Sequence, residues 1–298
     1  MTISASHPFI AVDWGTTSFR AALIAPDGEI LSELAQPRGV MSFKHGEFAP
    51  YLISTCAGMT KAGGQSFVLS GMVGSKDGMA EVPYCACPAT PMDVARGVRW
   101  AVKDRVAISP GVRSEQDDVM RGEEIQVFGA AAVLGVRDAY MVLPGTHSKW
   151  VNLEGGAIMG FNTFMTGEFY AMLAQHSILA KSLPQQSTAF EPQAFLQGID
   201  FACGGESLLN TAFSVRVKSL FKLMPPEHAA SYLSGLVIGE ELVSMQVQPG
   251  AEIVLVGSQQ LTERYQIALE HLGAQVRTLG NQAAWAGLYQ VYQALTRL

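Results

Sequence analysis

The chain has 298 residues, of which 48% are hydrophobic and 15% charged, and its formal net charge is −6. High hydrophobicity with a modest net charge excludes an intrinsically disordered chain, and the acidic balance argues against a nucleic-acid binder. The length allows one large core or two domains. The 30 glycines and the low charged fraction fit a compact α/β enzyme with tight loops.

The sequence also bears on the cellular location of the protein. The longest nearly uncharged apolar run, Val127 to Val136, is about half the ~20 residues that a membrane-spanning helix needs. Residues 1–8 lack the basic and apolar regions of a signal peptide. The four cysteines form neither a zinc nor a disulfide pattern. We expect a cytoplasmic protein that binds neither membrane nor nucleic acid.

The predicted elements alternate between strands and helices along the chain, beginning with a three-stranded meander in the first 35 residues. The predicted strands cover residues 9–12, 19–25, 29–34, 66–70, 139–143, 150–153, 252–256 and 276–279. The predicted helices cover residues 51–61, 121–134, 166–176, 204–221, 227–245, 262–272 and 283–297, and a surface loop covers 183–192. A strand, a turn with glycine and hydroxyl groups, and a second strand occur twice, which predicts two similar α/β halves.

The first predicted strand ends in an acid and a turn with glycine and hydroxyl groups, Asp13-Trp14-Gly15-Thr16-Thr17. Gly15 lets backbone N–H groups approach an anion without a Cβ in the way, and successive N–H groups in a turn bind anions. Asp13 is suited to hold hydrated Mg²⁺, which prefers carboxylates and retains its waters. A motif this short is also typical of an ordinary polar hairpin, the favoured interpretation when it stands alone.

A second apolar strand ends in a turn of the same type, Gly145-Thr146-His147-Ser148-Lys149. An ordinary hairpin is again the alternative, but two such turns together indicate a clamp for the β- and γ-phosphates of a nucleotide. The side chain of Lys149 either contacts a phosphate or faces solvent, and His147 is expected to bond within its turn. The motifs G-x-x-x-x-G-K-[ST] and G-x-G-x-x-G are absent, which argues against P-loop NTPases, protein kinases and Rossmann dehydrogenases.

A third apolar strand, residues 252–256, ends in Gly257-Ser258 before a predicted helix. A small turn at this place lets a flat base or a ribose approach the backbone. Taken alone, a plain strand-to-helix turn is the simpler interpretation.

In their order, these three elements resemble phosphate loop one, phosphate loop two and the adenosine loop of the actin/Hsp70/sugar-kinase superfamily. More narrowly, the chain is similar to the 2-dehydro-3-deoxygalactonokinase family over nearly its whole length. The blocks that carry the resemblance are Asp13-Trp14-Gly15-Thr16-Thr17, Gly71-Met72-Val73-Gly74-Ser75, Pro83-Tyr84 with Cys87-Pro88-Ala89, Asp118-Val119-Met120-Arg121-Gly122-Glu123-Glu124, Leu143-Pro144-Gly145-Thr146-His147-Ser148-Lys149-Trp150 and Thr166-Gly167-Glu168.

The resemblance implies a two-lobed, actin-like (ribonuclease H-like) α/β ATPase fold, with mixed sheets around a cleft and lobes at residues 1–138 and 139–298. It implies a kinase that uses ATP and Mg²⁺ to phosphorylate the 6-hydroxyl of 2-dehydro-3-deoxy-D-galactonate in D-galactonate catabolism. Two alternatives stay open: a kinase for another sugar or sugar acid, such as 2-dehydro-3-deoxygluconate, and a non-catalytic nucleotide-binding member. A homodimer is also left open.

The superfamily places a catalytic carboxylate upstream of phosphate loop two, and four acids lie there: Asp117, Asp118, Glu123 and Glu124. Glu123 follows a glycine at the start of a helix rich in small residues, as in the superfamily, and is favoured slightly over Asp118. Glu124 stays open as a third candidate. Acids are also common in a first helical turn, where the helix dipole stabilises them, so a purely structural role is the alternative for each.

The implied substrate carries a carboxylate, which needs a cation, preferably a bidentate arginine. Arg121, inside a specific block, is the first candidate and Lys76 the second. The hydroxyl of Ser75 is a candidate for a hydrogen bond to the sugar. Arg20 is a weaker candidate, since a basic residue on an early strand is more often a surface residue or a structural partner.

Overall fold

The computed structural model describes residues 6–184, 186, 189–280 and 282–298. Within them, the strands are β1 Phe9–Trp14, β2 Phe19–Ile24, β3 Ile30–Gln36, β4 Ser66–Ser70, β5 Cys85–Ala86, β6 Arg99–Val102, β7 Val106–Ile108, β8 Val112–Arg113, β9 Val119–Met120, β10 Ala139–Leu143, β11 Ser148–Glu154, β12 Ala157–Phe164, β13 Glu252–Val256 and β14 Gln275–Leu279. The helices are α1 Phe48–Thr55, α2 Ala57–Lys61, α3 Pro91–Arg96, α4 Glu123–Leu134, α5 Thr166–His176, α6 Pro192–Ala202, α7 Leu208–Thr211, α8 Ser214–Leu220, α9 Ala229–Ser244, α10 Gln259–His271 and α11 Ala283–Leu295.

Most of the predicted elements are confirmed, and β4, β10, β13 and α5 have the predicted bounds. Two predicted helices are each divided in the structure, 51–61 into α1 and α2, and 204–221 into α7 and α8. The helix predicted from residue 121 starts at Glu123, because Gly122 has a φ of 106°, which is outside the helical range. Part of the predicted loop 183–192 lies outside the described residues.

The N-terminal meander is one side of a six-stranded mixed sheet with the order β3-β2-β1-β4-β7-β6. Strand β1 pairs antiparallel with β2 and parallel with β4, and β4 pairs parallel with β7. The carboxyl ends of three parallel strands therefore lie at the same edge of this sheet. Asp13 is paired with Ser70 in the register of β1 and β4.

The core beside this sheet is aromatic and centres on Trp14, which is fully buried. Its ring meets Phe19, Phe43 and Phe48 in edge-on contacts, with centroid distances of 4.8, 5.3 and 5.4 Å. Edge-to-face pairs at such distances add to the gain from burial. This packing holds the end of β1, and with it Asp13, in a fixed position.

Helix α4 packs along α11 at very short range. A Cβ at Gly129 would collide with the carbonyl of Ala283, and a Cβ at Gly287 would collide with that of Ile125. Glycine on both helices therefore lets the two backbones touch, and the contact fixes the helix that starts with Glu123.

A second sheet has the order β12-β11-β10-β13-β14, and a small third sheet has the order β5-β8-β9. Helix α6 packs on α9, around a core that includes Leu233 and Leu236. Like the first sheet, the second presents the ends of apolar strands, here β10 and β13, where the sequence places polar turns.

The chain divides into two compact units. The first comprises Met1–Met141, Val151–Asn162 and Leu279–Leu298, and the second comprises Val142–Trp150 and Thr163–Thr278. Both units are discontinuous in sequence, whereas the lobes expected at 1–138 and 139–298 are continuous. The main difference is the last helix, α11, which belongs to the first unit together with α4. Within the described residues, no helix is long and apolar enough to cross a membrane.

The contact between α4 and α11 predicts a strong effect of one methyl group. We expect Gly129→Ala to lower the free energy of unfolding by about 1–3 kcal/mol, because overpacking forces the helices apart. Gly58→Ala in helix α2 is the matched control, since its Cβ would meet nothing within 4 Å; it should be neutral or stabilise the protein by up to ~1 kcal/mol. Urea denaturation measures both, and equal stabilities of the two variants would contradict the prediction.

Candidate active site

Asp13 lies near the end of β1, opposite Arg20 on β2. The Arg20 guanidinium pairs with Asp13 Oδ2, and both side chains are mostly buried. Arg20 is therefore a structural partner of Asp13, the role that the sequence favours for it. Among the described residues, the ion pair engages one carboxylate oxygen and leaves Oδ1 open.

Phosphate loop one, Gly15–Thr17, follows Asp13. In the described part of the chain its backbone makes three hydrogen bonds: the Gly15 N–H donates to the Ser18 carbonyl at 2.9 Å, the Val40 N–H to the Gly15 carbonyl at 2.9 Å, and the Met41 N–H to the Thr16 carbonyl at 3.2 Å. Thr16 and Thr17 are exposed. The loop thus has a fixed backbone with both hydroxyl side chains accessible to a ligand.

The start of α4 lies against Gly71 at the end of β4, and Gly71 lies beside the end of β1. A Cβ at Gly122 would lie 3.2 Å from the Cα of Gly71, and a Cβ at Gly71 would lie 2.8 Å from the Trp14 carbonyl and 3.4 Å from Asp13 Oδ1. Both glycines have positive φ, 106° and 89°. The fold of the first unit therefore places Gly122, the residue before the acids of α4, against Gly71, which in turn lies beside Asp13.

Glu123 and Glu124 both accept a hydrogen bond from the backbone just before their own helix. Glu123 Oε2 accepts the Arg121 N–H at 2.9 Å, and Glu124 Oε2 accepts the Gly122 N–H at 2.7 Å. Glu123 is half-buried, whereas Glu124 is fully buried and its Oε1 has no hydrogen-bond partner among the described residues. Burial, followed by the charge of Glu123, raises the pKa of Glu124 to about 8.

Asp118 occupies a different place, the turn between β8 and β9, with Asp117 before it at a φ of 56°. Its Oδ1 accepts the N–H of Val119 at 2.7 Å. The structure brings Glu123 and Glu124, rather than the loop acids, to the glycine contact beside Asp13.

Arg121 is 9% exposed and lies over the ring of Tyr84, with 4.3 Å between Cζ and the ring centroid. Its Nη2 donates to the Val82 carbonyl at 2.8 Å, while Nε and Nη1 have no hydrogen-bond partner among the described residues. The hydroxyls of Ser75 and Ser109 are buried without a partner as well. Unsatisfied buried donors are rare in native proteins and call for a ligand or water.

These groups form one neighbourhood around Gly74. A Cβ at Gly74 would lie 2.8 Å from Arg121 Nη1 and 3.3 Å from the Ser109 carbonyl, and Ser75 is the next residue. Lys76 follows in an exposed turn. No sequence motif indicated Ser109; its position directly after the buried strand β7 was the available signal.

Phosphate loop two, Gly145–Ser148, is held from the side of α5. The Glu168 N–H donates to the Thr146 carbonyl at 3.1 Å, and Glu168 Oε2 lies 2.6 Å from His147 Nε2. His147 therefore bonds beyond its own turn, to the helix that follows. Lys149 does not face solvent: it is 5% exposed and its Nζ donates to the Thr163 hydroxyl at 2.6 Å.

The adenosine-loop candidate, Gly257-Ser258, lies between β13 and α10, and Ser258 is exposed. A Cβ at Gly257 would lie 3.8 Å from the Pro144 carbonyl. The second unit thus places this turn next to the start of phosphate loop two.

A buried carboxylate that the sequence did not single out lies behind phosphate loop two. Glu241 is 2% exposed and accepts hydrogen bonds from Ser148 and Trp150 of β11, among others. The pattern in the sequence that indicated burial is the spacing: Glu241 comes four residues after Val237, so both lie on the same face of the helix, and Val237 is buried.

The mixed sheets and the polar turns at their strand ends define the class first: this is the fold of actin-like sugar kinases and ATPases. Two distant solved structures share it with a TM-score of 0.52, which shows the fold alone. The activator of the 2-hydroxyisocaproyl-CoA dehydratase from Clostridium difficile is 12% identical and covers 97% of this chain and 95% of its own. Component A of the Acidaminococcus fermentans (R)-2-hydroxyglutaryl-CoA dehydratase is 16% identical and covers 98% and 99%.

The sequence matches the model of the 2-keto-3-deoxy-galactonokinase family over residues 13–291. A relative from Rhizobium meliloti (strain 1021), named a probable 2-dehydro-3-deoxygalactonokinase, is 35% identical over 96% of this chain and 97% of its own length. The 2-dehydro-3-deoxygalactonokinase of Escherichia coli (strain K12) is 33% identical over 96% and 98%. A crystal structure from Sinorhizobium meliloti with the same kinase name has a TM-score of 0.88 at 34% identity, and covers 97% of this chain and 100% of that one. The chain belongs to the 2-keto-3-deoxy-galactonokinase family.

Glu124 predicts a pH-dependent stability. Its folded pKa is about 8 against an ordinary value of 4.5, so between these values the folded protein retains a proton that the unfolded chain releases. Stability therefore falls as the pH rises from 5 to 8. Glu124→Gln keeps the accepting oxygen and removes the titration. The Tm of the variant minus that of wild type should therefore rise by ~4 °C or more between pH 5 and pH 8. Calorimetry measures the difference, and a constant gap would contradict the prediction.

Proposed function

We propose that the protein transfers the γ-phosphoryl group of ATP to the 6-hydroxyl of 2-dehydro-3-deoxy-D-galactonate. The family match over residues 13–291 carries this proposal: as a member of the family, the chain is a kinase of this sugar acid. The product is a 6-phosphorylated keto-deoxy acid that an aldolase can split in D-galactonate catabolism. We place the activity in the cytoplasm.

The substrate carboxylate is assigned to Arg121. A guanidinium matches a carboxylate with two parallel hydrogen bonds, and the two buried nitrogens without a partner, Nε and Nη1, are the donors that such a pair uses. Ser75 and Ser109 supply hydroxyls in the same neighbourhood for the keto and hydroxyl groups of the acid.

The general base is assigned to Glu123. It is half-buried at the start of α4, next to the glycine contact with Asp13, whereas Asp118 lies in a separate turn. Phosphoryl transfer passes through a loose transition state, so the carboxylate mainly orients the 6-hydroxyl and accepts its proton late. Glu124 is set apart from this role by complete burial.

The nucleotide phosphates are assigned to phosphate loop one and phosphate loop two, and the adenosine to Gly257-Ser258. The donor set fits a magnesium nucleotide, because Asp13 keeps Oδ1 open beside its ion pair and can hold a hydrated ion through water. When bound, Mg²⁺ neutralises charge on the transferred phosphoryl group. The fixed backbone of loop one orients the exposed hydroxyls of Thr16 and Thr17 toward the phosphates.

The assignment of the base is tested by two amide substitutions. We expect Glu123→Gln to lower kcat by about 10²–10⁴, the usual range for the loss of a general base, with an unchanged KM for ATP. Asp118→Asn is the matched control and should retain kcat within about threefold. Coupled-assay kinetics with the purified sugar acid measure both. Full activity of Glu123→Gln together with a loss in Asp118→Asn would transfer the role to Asp118.

The assignment of the carboxylate ligand is tested by removing the guanidinium. We expect Arg121→Met to raise the KM for the sugar acid by about 10–100-fold, as for the loss of charge-assisted hydrogen bonds, and to leave the KM for ATP within about twofold. Lys76→Met, at the exposed second candidate, should change neither value. Circular dichroism checks that each variant is folded, since Arg121 also contacts Val82 and Tyr84.

A substrate panel completes this test. If neutral hexoses are phosphorylated and keto-deoxy acids are not, the proposed substrate class is refuted. A preference for 2-dehydro-3-deoxygluconate would keep the substrate class and change only the assigned configuration of the substrate at C4.

A further inference from the structure

The carboxylate of Glu241 accepts hydrogen bonds from four side chains. Oε1 accepts the Ser148 hydroxyl at 2.8 Å and the Trp150 indole N–H at 2.5 Å, and Oε2 accepts the Tyr265 hydroxyl at 2.7 Å and the Thr166 hydroxyl. An ionised carboxylate offers about four lone-pair positions. Its accepting capacity is therefore filled, in a place where it is 2% exposed.

The donors come from the segments assigned to the nucleotide. Ser148 closes phosphate loop two, Thr166 starts the helix that holds this loop, and Tyr265 lies on α10, the helix that follows Gly257-Ser258. Glu241 itself is on α9, 93 residues from Ser148 and 24 from Tyr265 in sequence. One side chain thus joins both nucleotide segments of the second unit.

A general contribution to stability explains the burial of Glu241 less well than a role in fixing local geometry does. Burial raises the pKa of Glu241, and a buried ionised group costs free energy that an apolar side chain of similar size avoids. A buried carboxylate of this kind is of use where several donor groups must be held in one fixed arrangement. Phosphate loop two is also tied down at a second residue, because the Glu168 N–H donates to the Thr146 carbonyl.

We infer that Glu241 is a positioning residue for the nucleotide. It fixes Ser148 of phosphate loop two and Tyr265 of α10 relative to each other, and acts through them without touching the ligand. The inference rests on the proposed function only in taking an adenine nucleotide as the molecule bound by these segments.

The test is Glu241→Gln, measured by the binding of ADP·Mg²⁺ in calorimetry. The amide keeps the volume and one accepting oxygen, but its NH₂ group must face two former donors. The indole N–H of Trp150 can only donate and keeps the amide oxygen, so the NH₂ group faces Thr166 and Tyr265, whose hydroxyl hydrogens then lose their buried acceptor. We expect a folded protein with a Kd for ADP·Mg²⁺ raised on the order of tenfold, and a Kd for the sugar acid within about twofold of wild type.

Glu240→Gln is the matched control, because Glu240 is the preceding glutamate on the same helix and is only partly buried. It should bind both ligands as wild type does. An unchanged Kd for ADP·Mg²⁺ in folded Glu241→Gln would overturn the inference. Equal weakening of both ligands with a lower Tm would also overturn it, since that result indicates a general loss of structure.

If Glu241→Gln does not fold, Trp150→Phe replaces it, because this change removes one donor and leaves the carboxylate in place. We then expect the nucleotide Kd to rise about threefold with the sugar-acid Kd unchanged, and an unchanged nucleotide Kd would overturn the inference.

The measured quantity is the Kd of the nucleotide, which does not depend on turnover. If the wild-type protein binds ADP·Mg²⁺ and does not phosphorylate the sugar acid, the proposed function is contradicted. The comparison of nucleotide affinities still decides the role of Glu241.

Discussion

The close backbone contacts of α4 are the constraint on which the first unit depends. This helix touches α11 through Gly129 and Gly287, and its start touches the end of β4 through Gly122 and Gly71. Close-packed interiors transmit small displacements, so the position of Glu123 follows from contacts along the whole helix. The backbone of Glu123 therefore has little freedom to shift, which is what our proposed role for it in positioning a reacting hydroxyl requires.

The two units fix their phosphate loops by different means. Phosphate loop one is held by backbone hydrogen bonds from Val40 and Met41, so its hydroxyl side chains stay exposed. Phosphate loop two is held by side chains, Ser148 on Glu241 and His147 on Glu168. The first device depends on chain geometry alone, whereas the second depends on charge and on the orientation of hydroxyl groups. The second loop is therefore more open to change by a single substitution.

The sequence predicts the elements that local physics determines and misses those that depend on distant contacts. Apolar runs that end in a polar turn, such as 66–70 and 252–256, have the predicted bounds. Strands β5 to β9 have two to four residues, too short for a period to be visible. The network of Glu241 was equally out of reach, because its partners lie 24 to 93 residues away. The choice of Glu123 among four neighbouring acids depended on the family resemblance, because acids are common in any first helical turn.

The net charge of −6 opposes the approach of two anionic substrates, but the charges near the start of α4 differ from this average. Around the start of α4, Arg121 stands next to Glu123 and Glu124, which would leave an excess negative charge if both acids were ionised. With a pKa of about 8, Glu124 is mostly protonated at neutral pH, which removes its charge from the two acids beside Arg121. Burial of Glu124 therefore lowers the negative charge that would oppose a carboxylate at Arg121, the group that we propose for binding the substrate. The fold achieves this by complete burial of one acid in a helix start that holds two.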